Sequence, residues 1–211
     1  MGIENFFGFL FVAIMLNMTP GSDTIYILTR SITEGRKAGY YSVFGIVSGG
    51  LFHTVMASMG LSIILAKSEI LFWIVKSLGA CYLCYLGIKA LISRSEKRPI
   101  AEEGSNNKKV PLSKVYQDGV CTNVLNPKVA FFFVALLPQF VNSNNSYGIL
   151  PFLVLGLTFM ATSLTWCLTL SFFASRFSKT LRHSSKIQTI MNRASGVVFL
   201  FLGIKLLTAK Q

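Results

Sequence analysis

The chain has 211 residues, of which 52% are hydrophobic and only 13% are charged, and its mean hydropathy is +0.57. This composition excludes an ordinary soluble domain of this length and predicts an integral membrane protein surrounded by lipid. The net charge of +12 would favour nucleic acid as the partner of a soluble chain, but the basic residues fall between apolar runs, so no nucleic-acid partner is expected.

Six mostly apolar segments are each long enough to cross a bilayer as a helix. Their approximate limits are 3–29, 39–65, 69–92, 116–140, 147–175 and 189–208. Basic residues cluster after the first, third and fifth segments, whereas the connections after the second and fourth carry almost none. Because cytoplasmic loops are enriched in Lys and Arg, this alternation predicts that both termini lie outside the cytoplasm.

A polar interruption, Thr19-Pro20-Gly21-Ser22-Asp23, lies inside the first segment. Proline lacks a backbone donor and glycine is unfavourable inside helices, so the helix should break and restart about midway through the bilayer. Thr19 is predicted to be the N-cap of the restarted half, and Pro20 its first residue. Asp23 would then place a carboxylate at the depth of the lipid.

The second segment carries small residues and a histidine at spacings that place them on one helix face: Gly45, Gly49, His53, Ala57 and Gly60. Such a stripe predicts close packing against another helix. Imidazole exchanges protons near physiological pH, so His53 is a candidate for proton coupling. Equally, His53 could only make a structural hydrogen bond to a neighbouring helix.

The longest connection, 93–114, is polar and predicts a mobile cytoplasmic linker. It separates a first repeat, about 1–92, from a second, about 115–211, within a single transmembrane domain. Residues 85–89 (Tyr-Leu-Gly-Ile-Lys) and 201–205 (Phe-Leu-Gly-Ile-Lys) match closely at a spacing of 116. Since each repeat would contain three spans, the two must cross the membrane in opposite directions. The predicted fold is an all-α membrane protein of six helices in two inverted repeats.

A second interruption, with Asn126-Pro127 in a cap-then-proline order, lies in the fourth segment. In an inverted repeat the two restarted half-helices begin near the membrane midplane, and their N-termini converge. The predicted substrate site comprises both breaks: Thr19, Pro20, Gly21, Ser22, Asp23, Asn123, Asn126, Pro127 and Lys128.

The charges of this predicted site suit a zwitterion such as an amino acid. Asp23 could bind an ammonium group, and Lys128 or the helix N-termini a carboxylate. Asp23 is also a candidate for proton coupling. Alternatively, Asp23 only stabilises the restarted helix and Lys128 snorkels, or the two side chains pair with each other.

Two other sets of side chains lie within apolar runs. The threonines of the fifth segment share one face beside Trp166, and they either line a path or bond back to their own helix: Thr158, Thr162, Thr165 and Thr169. The cysteines are predicted to be free and buried: Cys81, Cys84, Cys121 and Cys167.

With these residues in place, the chain resembles the LysE/RhtB family of bacterial amino-acid exporters over essentially its whole length. The resemblance rests on both breaks, on His53 in its small-residue helix, and on three further stretches: Ser31 to Gly39, Gly79 to Gly87, and Leu137 to Phe140. Many members have proline where this chain has Ser22. The resemblance implies an inner-membrane, six-span exporter of amino acids or related metabolites, driven by proton antiport and forming a homodimer. Separately, no enzymatic activity, cofactor or metal site is expected.

Three alternatives from other classes remain at this point. A non-transporting receptor or assembly factor would not require the paired half-helix breaks. A transmembrane thiol–disulfide carrier would need two thiols able to meet, yet the first segment has no cysteine to match Cys121. A metal efflux protein would need convergent ligands, whereas His53 and His183 lie in different environments without a ligand spacing.

Overall fold

The computed structural model describes residues 2–67, 69–92, 110–142 and 147–176, together with Arg193, Gly196, Val197, Leu200, Phe201, Gly203 and Ile204. Within these residues the structure is helical, apart from an antiparallel bridge between Ile3 and Val141. Most of the predicted linker 93–114 and most of the predicted sixth segment 189–208 lie outside the described residues.

The first predicted span is a broken helix, made of α1 (Phe6–Met18) and α2 (Ser22–Thr33), which are bent by 51° relative to each other. The prediction that Thr19 is the N-cap of the restarted half, with Pro20 as its first residue, is wrong. Thr19 is the C-cap of α1, and its hydroxyl donates to the carbonyl of Met15 at 2.7 Å. Because a residue before proline avoids the α conformation, Thr19 is extended, and α2 restarts only after Gly21.

The fourth predicted span is broken in the same way, between α5 (Leu112–Val124) and α6 (Pro127–Phe131), with a bend of 47°. Here the predicted cap is confirmed, because the Asn126 side chain accepts a hydrogen bond from the backbone N–H of Lys128 at 3.0 Å and Pro127 follows at the first position. The segment continues as a π turn (Phe132–Leu136) and a 3₁₀ turn (Leu137–Phe140).

The described structure also contains three long helices: α3 (Arg36–Lys67), α4 (Glu69–Ile92) and α7 (Leu150–Arg176). Among the described helices, Arg36–Gly60 and Leu150–Ser175 are each long and apolar enough to cross a membrane alone. If each bent pair counts as one span, the number of candidate spans rises to four. The described part of the chain is therefore helical, with two to four candidate membrane spans.

The long helices pack against the broken ones of the other half of the chain. Helix α3, which follows the first break, packs along α5, and α7, which follows the second break, packs against α1 and α2. Buried aromatic rings fill the space between α1, α7 and the segment after α6: Phe9, Phe132, Phe133, Phe140 and Phe159. This crossed packing brings the two breaks together in the interior.

The predicted small-residue stripe explains how closely α3 approaches α5. A Cβ added to Gly45 would overlap the carbonyl oxygen of Tyr116, and one added to Gly49 would lie 2.7 Å from the Cβ of Asn123. On the facing helix, a Cβ on Gly119 would lie 3.0 Å from the Ser42 carbonyl. Close packing is confirmed here, but no atom of the described residues lies within 4 Å of a Cβ on Gly60, so the stripe extends beyond the contact.

The four cysteines are free, as predicted, but they are not all buried. Cys167 is buried and Cys84 is partly buried, whereas Cys81 and Cys121 are exposed. The prediction of burial is wrong for these two because an apolar segment of a membrane helix does not reveal which of its faces points toward the protein.

Candidate functional site

The carboxylate of Asp23, in the first turn of α2, is the point at which the two breaks meet. Asn123, at the end of α5, donates its side-chain amide to Asp23 Oδ2 at 2.8 Å. Asn126, the N-cap of α6, donates its amide to Asp23 Oδ1 at 2.9 Å. Each carboxylate oxygen thus accepts a hydrogen bond from a residue about one hundred positions along the chain.

Neutral groups hold this carboxylate. Ser22 adds a longer contact, with its hydroxyl 3.4 Å from Asp23 Oδ1. Within the described residues, Asp23 forms no ion pair. Since amide donors stabilise a carboxylate without neutralising it, Asp23 keeps its capacity to attract a cation.

Lys128 is held separately from Asp23. Its ammonium donates to the carbonyl oxygens of Thr19 at 2.9 Å and of Leu16 at 3.2 Å. These carbonyls belong to the C-terminal end of α1, where the helix dipole favours a positive charge. Of the alternatives for Lys128, direct pairing with Asp23 and snorkelling away from the site are both wrong in this conformation, because the side chain caps α1.

The remaining predicted residues lie at different distances from this centre. Gly21 is the N-cap of α2 and makes no side-chain hydrogen bond, and a Cβ there would lie 3.2 Å from Lys128 Nζ. Pro20 is partly exposed, and Ser22 and Pro127 are exposed. The structure therefore brings together the polar side chains, while the prolines shape the backbone.

His53 contacts the site through the backbone. Its Nε2 lies 3.1 Å from the carbonyl oxygen of Asn123, and because a carbonyl can only accept, Nε2 is the donor. The ring is buried and stacks on Phe133, with the centroids 5.8 Å apart. His53 thus makes the hydrogen bond to a neighbouring helix that its structural interpretation anticipated, and it touches the residue that holds Asp23.

A cavity of about 20 Å³ lies beside Asp23 and Lys128. This volume holds about one water molecule, so the site is closed around its polar groups. Four polar or thiol residues line this cavity but are not part of the site predicted from the sequence: Asn17, Thr24, Ser163 and Cys167. One signal was available for Asn17, because it is the next-to-last residue of α1, just as Asn123 is the next-to-last residue of α5.

Both interpretations of the threonine face of α7 apply to this structure. Each of the four hydroxyls donates to a carbonyl of its own helix. Thr162 also accepts a hydrogen bond from Asn17 Nδ2 at 3.0 Å. In addition, Thr162, Thr165, Thr169 and Trp166 line a groove of about 400 Å³ between α1 and α7.

The two broken segments are tied together on both sides of the cavity. On one side, Tyr26 donates its hydroxyl to the Val115 carbonyl at 2.6 Å, and Arg30 Nη2 lies 3.5 Å from Asp118 Oδ2. Arg30 also pairs with Glu34 in its own helix.

At the opposite end, the chain start is bound to the residues after the 3₁₀ turn. The Glu4 N–H donates to the Phe140 carbonyl at 2.8 Å, and the Asn142 N–H to the Gly2 carbonyl at 2.9 Å. Together with the ties on the other side, these bonds enclose the central cavity.

The sequence of this chain is similar to those of known membrane proteins. The model of the LysE type translocator family matches residues 14–210. The uncharacterized membrane protein YrhP of Bacillus subtilis is 32% identical over 92% of this chain and 94% of its own length. A leucine efflux protein of Klebsiella pneumoniae is 27% identical over 100% of this chain and 98% of its own. No solved structure matches the chain.

Proposed function

Because the chain belongs to the LysE type translocator family, whose members are transporters and not enzymes, we propose that it exports amino acids across the bacterial inner membrane. The similarity to a leucine efflux protein over the full length of the chain supports a substrate of this class. The observation that carries the proposal is the Asp23 carboxylate, held by two amides from the opposite break and paired with no cation among the described residues.

In this proposal Asp23 binds the ammonium group of the substrate. A carboxylate buried in a membrane protein is costly, and such residues commonly mark the pathway of an ion or substrate. The two asparagine amides keep the carboxylate in a fixed orientation. Its negative charge remains available to a cation that enters the cavity.

The substrate carboxylate would bind on the positive side of the same centre. Gly21 starts α2 without a side-chain cap, so the first N–H groups of this helix are available to an anion. The ammonium of Lys128 lies close to Gly21. The N-terminus of α2 and the ammonium of Lys128 thus lie next to each other, and Asp23 follows within the first turn of the same helix.

Proton antiport follows if the proton and the substrate ammonium group compete for the same carboxylate, that of Asp23. Asp23 can bind an ammonium group only while it is ionised, and a proton that occupies it removes the charge that attracts the substrate. Exchange of one for the other would couple export to proton entry. His53 is the second candidate in this step, since it is hydrogen-bonded to the backbone of Asn123, which in turn holds Asp23.

For the architecture, we propose six spans in two inverted repeats, with both termini outside the cytoplasm. The equivalence of Asn17 and Asn123 supports the repeat, because each is contacted by the long helix of the other half, Asn17 by Thr162 and Asn123 by His53. The ties on both sides of the cavity support an occluded conformation, from which the site would open alternately to each side.

The experiment that tests this function uses the purified protein in liposomes loaded with a mixture of amino acids. An imposed pH gradient should drive the efflux of at least one neutral amino acid, and collapsing the gradient with an ionophore should slow that efflux. Efflux unaffected by the ionophore would contradict antiport, and no efflux of any amino acid would contradict the proposed substrate class.

A further inference from the structure

A groove between α1 and α7 lies next to the closed site. Its volume is about 400 Å³, whereas the cavity beside Asp23 measures about 20 Å³. Small-molecule sites commonly occupy about 300–1,000 Å³. The central cavity is too small for an amino acid side chain, and the groove is large enough.

Asn17 separates the two spaces. It lines both the cavity and the groove, and its side-chain amide is fixed by one hydrogen bond to the Thr162 hydroxyl at 3.0 Å. The Thr162 hydrogen is itself donated to the Phe159 carbonyl. Within the described part of the chain, a rotation of the Asn17 side chain would therefore break a single side-chain hydrogen bond between helices, at the boundary of the two spaces.

The groove carries no charge on the described residues that line it. Its apolar wall is formed by Ile14, Met18, Ala161 and the ring of Trp166. The hydroxyl of Thr165 donates to its own helix, so toward the groove it offers only a methyl group and acceptor lone pairs. A charged side chain would lose hydration here without gaining an oppositely charged partner among the described lining residues, which disfavours its binding.

We propose that this groove is the specificity subsite, which receives the uncharged side chain of the exported amino acid while its ammonium and carboxylate groups bind at the two breaks. Asn17 is the positioning residue at the junction. The inference rests on the proposed function, and it adds which amino acids are accepted: apolar or small uncharged ones, and not lysine, arginine or glutamate.

The test changes the size of the groove without touching the breaks. Ala161 is an exposed residue of α7 within the groove lining, so Ala161→Leu narrows the groove. We expect the ratio of leucine to alanine transport efficiency in proteoliposomes to fall about tenfold, as for other misfits of a few methylene groups in an apolar pocket. Leu157→Phe enlarges an exposed residue one turn away in α7, outside the groove lining, and should leave the ratio unchanged.

A second measurement does not depend on transport by the altered protein. Ala161→Cys should react with a maleimide, and peptide mass spectrometry distinguishes position 161 from the native cysteines. Leucine should protect this thiol, and lysine should not. Equal protection by both, or none by leucine, would overturn the subsite even if the wild-type protein exports amino acids. Absence of export by the wild type would instead count against the proposed function.

Discussion

At the scale of single residues, neutral groups hold the two charges in the breaks. Asp23 accepts from two asparagine amides, and Lys128 donates to two carbonyls at the end of α1. If the two charges paired directly with each other, they would attract the charged groups of a zwitterion only weakly. Keeping them apart leaves each available to the oppositely charged group of a substrate.

Asn126 has two hydrogen bonds whose contributions to stability can be separated. Its side chain caps α6 and also donates to Asp23. Asn126→Ala removes both, and loss of a cap (about 0.5–2 kcal/mol) plus a bond to a charged group (about 1.5–3 kcal/mol) should lower the free energy of unfolding by about 2–5 kcal/mol. Unfolding in detergent, followed by circular dichroism, measures this change.

Asn126→Ser should be intermediate, because serine keeps the cap but is too short to reach Asp23. Thr122→Ala, which removes only a hydroxyl bonded within its own helix, is the matched control and should change stability little. If the Ala and Ser variants were equally stable, the bond from Asn126 to Asp23 would contribute nothing to folding.

At the scale of elements, the spacing between α3 and α5 depends on glycine. Gly45 faces the backbone of α5, where a methyl group would overlap the Tyr116 carbonyl, and backbone cannot move aside as a flexible side chain does. Asn123 belongs to the same contact and also holds Asp23. The packing of these helices therefore determines the geometry of the site.

Gly45→Ala is expected to destabilise the protein by about 1–3 kcal/mol, the usual cost of overpacking a tight contact, and to lower export because α5 shifts. Gly60→Ala is the control on the same helix, since its added Cβ has no neighbour within 4 Å in the part of the chain that the structure describes. It should leave stability unchanged or raise it by up to about 1 kcal/mol through helix propensity. Equal effects of both changes would show that the contact is not tight.

Local chemistry allowed much of the broken-helix pattern to be predicted. Proline, glycine and buried polar residues located both breaks, and the cap at Asn126 followed from its position before Pro127. The same logic failed at Thr19, because a threonine before proline can end one helix as well as begin the next. The sequence could not show which face of each helix points toward the protein: the roles of Thr24 and Ser163, and the exposure of Cys81 and Cys121, depend on contacts between helices.

At the scale of the whole molecule, the two broken segments touch on both sides of a cavity that holds about one water. One side is closed by Tyr26 with Val115 and by Arg30 with Asp118. The other is closed by the bridge between Ile3 and Val141. An exporter must open the two sides in turn, so the contacts that close each side should break during transport.

Cross-linking the bridge tests this requirement. Paired residues of an antiparallel bridge have Cα atoms about 4.5–5.5 Å apart, which suits a disulfide. The double variant Ile3→Cys with Val141→Cys should lose export when oxidised and regain it on reduction. The single variants are the controls and should respond to neither treatment. Full export by the cross-linked protein would show that this end does not open during transport.

The most direct test of the central claim, that the carboxylate between the two breaks binds what is exported, is amino-acid efflux from proteoliposomes containing Asp23→Asn. Glu102→Gln, which removes a carboxylate from the predicted linker, serves as the matched control, and the amount of inserted protein is measured for each. We predict that Asp23→Asn inserts normally but releases amino acids no faster than protein-free liposomes, while Glu102→Gln matches the wild type. Efflux at the wild-type rate from Asp23→Asn would contradict the account.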